Sequence, residues 1–233
     1  MQSTKKLLLP IQLPNITDVV YDTLRQQILA GEMIPGEQLN LHEIEQQLEI
    51  SRTPLKAALA RLQAEGLVEV HPRRGTYVMQ LSRRDIEECF ELRIALEAQA
   101  LRSAFLPDNT PALQKIIEQL TRMETFFQHE ETWVEENADY MSLDRELHLS
   151  MVALSGNRRL YQVYEYANVQ GYIAIMGTRF FYSDVQKTHH EHAVIKAALQ
   201  NHDLPMLLDA ARVHLENARD RAVQRIATLE AGR

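Results

Sequence analysis

The chain has 233 residues, 45% of them hydrophobic and 24% charged, with a formal net charge of −7. That balance fits a globular protein of one or two domains and excludes a disordered or collagen-like chain. No apolar run approaches the ~20 residues of a membrane span. The single cysteine, Cys89, forbids an internal disulfide, which fits a reducing cytoplasm, and it reads as small apolar filler on a helix.

Residues 1–14 contain Pro10 and Pro14 and have no periodicity, so they read as a flexible N-terminal arm. Lys5-Lys6 followed by three Leu is too short for the apolar stretch of a secretory signal. A first helix is expected over Ile16 to Ala30, with Val20, Leu24 and Ile28 on one face. Pro35-Gly36 forces a turn. Asn40 with Glu43 has the form of a capping box, opening a short helix through Leu48. Ser51 can cap the next helix, in which Pro54 is tolerated in the first turn. Leu55, Leu59 and Leu62 share a face there, and Gly66 ends it. Leu67 to Val70 and Thr76 to Met79 alternate like two small strands, joined by His71 to Gly75.

Charge in this part is placed rather than abundant. Asn15 to Gln80 carries six Lys/Arg against nine Asp/Glu, yet Ser51 to Arg74 holds five cations against only Glu65 and Glu69. Arg52, Thr53 and Lys56 gather at a helix start, and Arg73 and Arg74 at a strand turn. A helix entering a DNA groove beside a flanking wing needs cations and hydroxyls at such tips.

The stretch SRTPLKAALARLQAEGLVEVHPRRGTYV, with its upstream helices, resembles the winged helix-turn-helix of GntR-family bacterial transcription regulators. The resemblance implies a DNA-binding domain over 15–80. Its DNA contacts would come from His42, Arg52, Thr53 and Lys56, and from the wing residues Arg73, Arg74 and Gly75. It also implies a homodimer on a palindromic double-stranded operator. Lys56 and Ala57 stand where the pattern usually reads Arg-Glu. Lysine lacks the planar two-pronged contact of arginine to guanine, so the resemblance leaves the operator sequence open while implying the fold.

Ser82 caps a long helix reaching about Leu106, with Asp85 in its first turn and Ile86, Phe90, Ile94 and Ala98 along it. Pro107 to Pro111 breaks the pattern. Leu113, Ile116, Ile117 and Leu120 mark a helix ending near His129, and further helices are expected over Thr132–Leu154 and Arg158–Phe180. Thr188 with Glu191 reads as a capping box for a helix through Ala198, and Asp203 with Pro205 starts a last helix to about Leu229. The fold class is therefore mainly α: a winged helix-turn-helix, then an all-helical bundle of six or seven helices over 81–230.

Asp144 and His148 lie four apart on one helix and can grip one ion together. His192 and His214 lie on later helices, where a single His is usually a surface or satisfied core residue. The segments SLDRELHLSMVALSGN, HEHAVIKAAL and AARVHL resemble the ligand-binding domain of the FCD branch of the GntR family. In that branch an Asp and three His hold a divalent metal at the bottom of an effector pocket. Asp144, His148, His192 and His214 match all four positions. Zinc leads the candidates, with Ni, Mn or Fe(II) as alternatives, because imidazole and carboxylate suit them all.

Arg93 reads either as a surface ion pair with Glu97 at i+4 or, by the resemblance, as an anchor for an effector carboxylate. Tyr140, one turn before Asp144, is a second candidate for the pocket, and Trp133 reads as core. His189 and His190 are expected to face solvent. The resulting expectation is a cytoplasmic, ligand-responsive regulator. It is read as a repressor controlled by a small organic acid or sugar acid bound over the metal, without a membrane partner and without enzyme activity. Two alternatives remain open: a metal-dependent enzyme using the Asp/His site, which would lack a separate general base, and a metal-free effector-binding regulator.

Overall fold

In a computed structural model, residues 15–126, 133–176 and 182–231 are described. Helix α1 (Ile16–Leu29) starts at Asn15, whose side chain accepts from the Thr17 amide, and buries Val20, Leu24 and Ile28. A two-residue strand, β1 (Gln38–Leu39), leads through the Asn40 cap into α2 (Leu41–Gln47). Helix α3 (Arg52–Ala64) buries Leu55, Ala58, Leu59 and Leu62. Ser51 occupies its cap position but makes no side-chain capping bond.

Strands β2 (Val68–His71) and β3 (Gly75–Val78) form the hairpin, and β1 completes an antiparallel sheet in the order β1-β3-β2. The sequence pattern missed β1 because two residues carry no alternation to read. The strand nonetheless supports the wing: Gln38 Nε2 donates to the Arg74 carbonyl at 3.0 Å, and the Tyr77 hydroxyl donates to the same oxygen at 3.1 Å. Gly75 sits at φ +128, and a Cβ there would lie 2.5 Å from Gln38 Nε2. Arg73 itself has φ 65, a left-handed conformation that costs a non-glycine residue about 1 kcal/mol.

The helical part consists of α4 (Arg83–Leu101), α5 (Thr110–Met123), α6 (Trp133–Ala153), α7 (Arg158–Met176), α8 (Tyr182–Gln200) and α9 (Leu204–Ala231). Helix α4 begins with a capping box between Ser82 and Asp85 and packs against α6, α7 and α9. It stops at Leu101 rather than near Leu106. Leu106 is extended, as the residue before a proline prefers, and Pro107–Asn109 form a single 3-10 turn. Helix α5 starts at Thr110, accepts Pro111 in its first turn, and ends at Met123. The expected end near His129 lies outside the described residues, as does the end of the fourth predicted helix beyond Met176.

The capping box expected at Thr188 and Glu191 is not formed. Helix α8 begins six residues earlier, at Tyr182, and Thr188 lies inside it with its hydroxyl donating to the Asp184 carbonyl at 2.9 Å. A threonine in a helix interior satisfies itself on the preceding turn in this way, so the Thr-x-x-Glu spacing was a coincidence of helical period.

The buried stripe of α4 positions the site. It reads Ile86, Phe90, Arg93, Glu97, Ala100, Leu101. Ile86 and Phe90 pack on Leu215, Ala218 and Ala222 of α9, whereas Ala100 packs with Leu149, Val152 and Tyr164. Two charged residues thus fill the gap between two apolar clusters. The larger core joins Leu113, Ile116 and Leu120 of α5 to Leu147 and Met151 of α6 and Ile195 and Leu199 of α8. Val169 of α7 is fully buried in the cluster formed by Val20, Leu24, Leu59 and their neighbours, and Leu29 of α1 packs against both that cluster and the larger helical core. Among the described residues, no helix is long and apolar enough to cross a membrane.

Candidate metal centre and effector pocket

Three helices bring the four predicted ligands together. Asp144 and His148 project from successive turns of α6, His192 comes from α8 and His214 from α9, and one donor atom of each lies within 4.8 Å of the others. All three histidines are buried. His148 Nε2 and His214 Nε2 are 3.2 Å apart, His192 Nε2 is 3.2 Å from Asp144 Oδ1, and His148 Nε2 is 4.0 Å from Asp144 Oδ2.

Two further carboxylates orient these rings. Glu97 of α4 receives His148 Nδ1 at 3.0 Å, and Glu191 of α8 receives His214 Nδ1 at 2.8 Å. An ionised carboxylate only accepts, so each Nδ1 carries a proton, and in the neutral form of such a ring Nε2 presents a lone pair inward. Two such lone pairs facing each other at 3.2 Å repel unless a cation lies between them. His192 Nε2 and Asp144 Oδ1 are also buried and face each other without hydrogen-bond alignment, and His192 Nδ1 is buried with no hydrogen-bond partner among the described residues. An orphaned buried polar atom costs about 1–3 kcal/mol. The donor set therefore fits a divalent cation, and the mixture of imidazole and carboxylate suits zinc, nickel, manganese or iron(II).

The protonation tendencies agree. Burial pushes the His214 imidazole down to about 4, with Glu191 opposing the shift in part. Burial would raise Asp144, but the imidazoles of His192, His148 and His214 outweigh it and hold the carboxyl well below its usual range. Glu191 likewise overcomes burial through His214 and Arg221 and lies at about 2. Glu97 overcomes burial through His148, Arg93 and Tyr164.

Arg93 is buried, so it is not a surface ion pair. Its Nη2 lies 3.8 Å from Glu97 Oε1 and its Nε donates to the Tyr164 hydroxyl at 3.3 Å, while that hydroxyl donates to Glu97. It passes α7 at Gly171, where a Cβ would stand 2.6 Å from the guanidinium. Arg93 and Tyr140 both line the cleft above the ligands, as do Thr188, Arg221 and Arg225. The cavity there is small, about 20 Å³ on the scale where a single water needs ~10–15 Å³, and it opens to solvent. Arg221 binds Glu191 at 2.9 Å, and Arg225 pairs with Asp184.

Sequence reasoning missed Glu97, Glu191, Tyr164, Arg221 and Arg225. Glu97 carried a readable signal, since with Arg93 it continues the i, i+4, i+7, i+11 spacing of Ile86 and Phe90. The solvent-facing expectation for His189 fails: its Nε2 is buried, and its ring stands 5.3 Å from that of Tyr140. His190 is exposed as expected, and the side chain of Trp133 lies outside the described residues.

At the other end of the chain, Arg52, Thr53 and Lys56 are exposed on the first turns of α3. His42 is exposed on α2, and Arg73 and Arg74 are exposed at the wing tip, with Gly75 half-buried beside them. Glu45 connects two of these positions, lying 3.9 Å from His42 and 3.7 Å from Arg52.

Two family models match the chain, "Bacterial regulatory proteins, gntR family" over residues 16–78 and "FCD domain" over residues 88–217. The chain belongs to the GntR family, in its FCD branch. This GntR/FCD regulator is 28% identical over 148 residues to the HTH-type transcriptional regulator YdhC of Bacillus subtilis, covering 64% of each chain. It is 45% identical over 80 residues to a regulator from the TAR-I ttuE-ttuC' intergenic region of Agrobacterium vitis, covering 34% of this chain and 47% of that one. The matches thus span 64% and 47% of these relatives' lengths. A GntR transcriptional regulator from Rhodococcus sp. RHA1 has the same fold, with a TM-score of 0.77 at 18% identity over 89% of this chain and 97% of that one.

Proposed function

We propose that this GntR/FCD regulator is a cytoplasmic repressor that binds a palindromic operator as a homodimer. A small organic acid or sugar acid, bound over a divalent metal, releases it. Asp144, His148, His192 and His214 would hold the ion, and the ion would supply positive charge for an acid group of the effector. Glu97 and Glu191 keep the imidazoles turned inward; such outer partners fix both tautomer and ring orientation. Arg93 and Tyr140 border the effector. His42, Arg52, Thr53, Lys56, Arg73, Arg74 and Gly75 meet the DNA, with residues 15–80 as the reading head and 81–230 as the sensor and two-fold contact.

The observation that carries the metal reading is the pair of Nε2 atoms 3.2 Å apart, each ring held from behind by a carboxylate on its Nδ1. A regulatory role for the centre is favoured over catalysis because Glu97 and Glu191 are each committed to an imidazole, leaving neither as a base for water. The test is metal content of untagged protein beside His192→Ala. The expected result is about one divalent ion per wild-type chain, as a four-ligand site takes, and loss of it in the variant. Wild-type protein that stays metal-free after incubation with Zn, Ni and Mn would overturn the metal reading and favour a metal-free regulator. Gel shifts with upstream DNA test the repressor reading, which requires sequence-specific binding that the effector weakens.

A further inference from the structure

Glu45 stands between two of the proposed DNA contacts, which come from different helices. Its Oε1 lies 3.7 Å from Arg52 Nε at the start of α3, and its Oε2 lies 3.9 Å from His42 Nδ1 on α2. The turn between the helices holds it there: the Ile50 amide donates to the Glu45 carbonyl at 3.0 Å, and Glu49 takes φ 50. The two partners differ in depth. The Arg52 side chain is 66% exposed and that of Glu45 20%, with Glu45 Oε1 buried and without a hydrogen-bond partner among the described residues. The carboxylate is therefore behind the guanidinium, on the protein side, and this oxygen is out of reach of a base.

A carboxylate on a face that meets phosphates opposes binding, and Asn15 to Gln80 already carries nine Asp/Glu against six Lys/Arg. An exposed ion pair also adds little stability. What Glu45 can supply is aim. Guanine is read by two parallel N–H donors of one guanidinium, and the donors at the Nη end stay free when Nε is engaged from behind. DNA laid over the pair excludes water, which strengthens the attraction. An arginine without such a partner is free to swing to the nearest phosphate, a contact that carries no sequence information.

We infer that Glu45 is a positioning residue, which turns the Arg52 fork towards a guanine edge and so gives sequence preference while lowering non-specific affinity. The inference rests on the reading of Arg52 as a DNA contact and is independent of the metal.

The test is selection from a randomised duplex library by full-length wild-type protein, Glu45→Ala, Arg52→Lys and the double variant. Affinities for the selected duplex and its single-base variants are then measured across a salt series. Wild-type protein is expected to enrich a guanine at one position of each half-site. Each single variant should lose that preference by at least about fivefold, the low end of what a two-pronged contact discriminates, and Glu45→Ala should add nothing to Arg52→Lys. Non-specific binding by Glu45→Ala should rise, and its salt dependence should steepen by about one phosphate contact per chain. Glu49→Gln removes a charge from the same turn and is expected to keep the guanine preference. Preference lost in Arg52→Lys but kept in Glu45→Ala overturns the inference alone. Equal loss in Glu49→Gln also overturns it, because the effect would then be one of net charge. Preference kept in Arg52→Lys overturns the inference together with the placement of Arg52 at a base, and a wild-type protein that enriches no sequence overturns both along with the operator reading.

Discussion

A histidine ligand works only if its coordinating nitrogen is unprotonated and aimed, and here that depends on two glutamates that coordinate nothing. Replacing Glu97 or Glu191 by Gln keeps the volume but removes the charge that fixes Nδ1–H. Metal affinity is expected to fall about 10–100-fold in either variant, read by competition with a chelator. Affinity unchanged in both would mean that the rings are held by packing alone.

His214 adds a pH dependence. Its folded value of about 4 lies below the ordinary value near 6.5. Below about 6.5 the unfolded chain binds a proton that the folded chain refuses, so stability is intact above that pH and is lost as pH falls towards 4. Metal-stripped protein should show a falling denaturation midpoint across this window, and a flat profile would contradict the buried, neutral imidazole. That Asp144, His148, His192 and His214 would gather was legible from spacing and resemblance. Of the supporting glutamates, Glu97 showed only as a continuation of the spacing of Ile86, Phe90 and Arg93, and Glu191 not at all, because its partners His214 and Arg221 come from another helix.

Helix starts were legible where a side chain makes the first bond, as at Asn15, Asn40 and Ser82. They were misread where the same letters fall inside a helix, as at Thr188. What the elements exclude is also informative. Gly171 on α7 gives passage to Arg93, whose buried guanidinium is held by Tyr164 and Glu97. Gly171→Ala is expected to destabilise the fold by about 1–3 kcal/mol, the usual cost of overpacking, read as a lower urea midpoint. Gly75 differs, since the group a methyl would meet is the end of the exposed Gln38 side chain. There the cost is backbone strain in the wing, so Gly75→Ala should weaken DNA binding far more than it lowers stability. A loss of global stability comparable to that of Gly171→Ala would sink that distinction.

Across the whole molecule, Cys89 and Val169 tie the helical bundle to its own α7 and α7 to the DNA-binding helices. The Cys89 thiol donates to the Ala167 carbonyl at 3.0 Å, and two residues on, Val169 lies among Val20, Leu24 and Leu59. Tyr164, one turn earlier, is bonded to the Glu97 that holds His148. The same helix therefore touches both the surroundings of the proposed metal centre and the DNA-binding core. Val169→Ala should leave metal content unchanged while weakening the effect of effector on operator affinity, measured as the ratio of DNA dissociation constants with and without effector. An unaltered ratio would remove α7 from the coupling. None of this was legible beforehand, because Val169 has the composition of any helix position and its partner lies some 140 residues upstream.

Val169 has a further consequence, for recombination. Regulators of this kind invite gene fusions in which one reading head is spliced onto another's sensor at the boundary near residue 80. Here the head's hydrophobic core is completed by a side chain encoded far beyond any such junction. A graft would inherit an unfilled hole unless the recipient's α7 offered a residue of matching size at that point, so the breakpoint that looks cleanest in the gene is not the one the protein can accept.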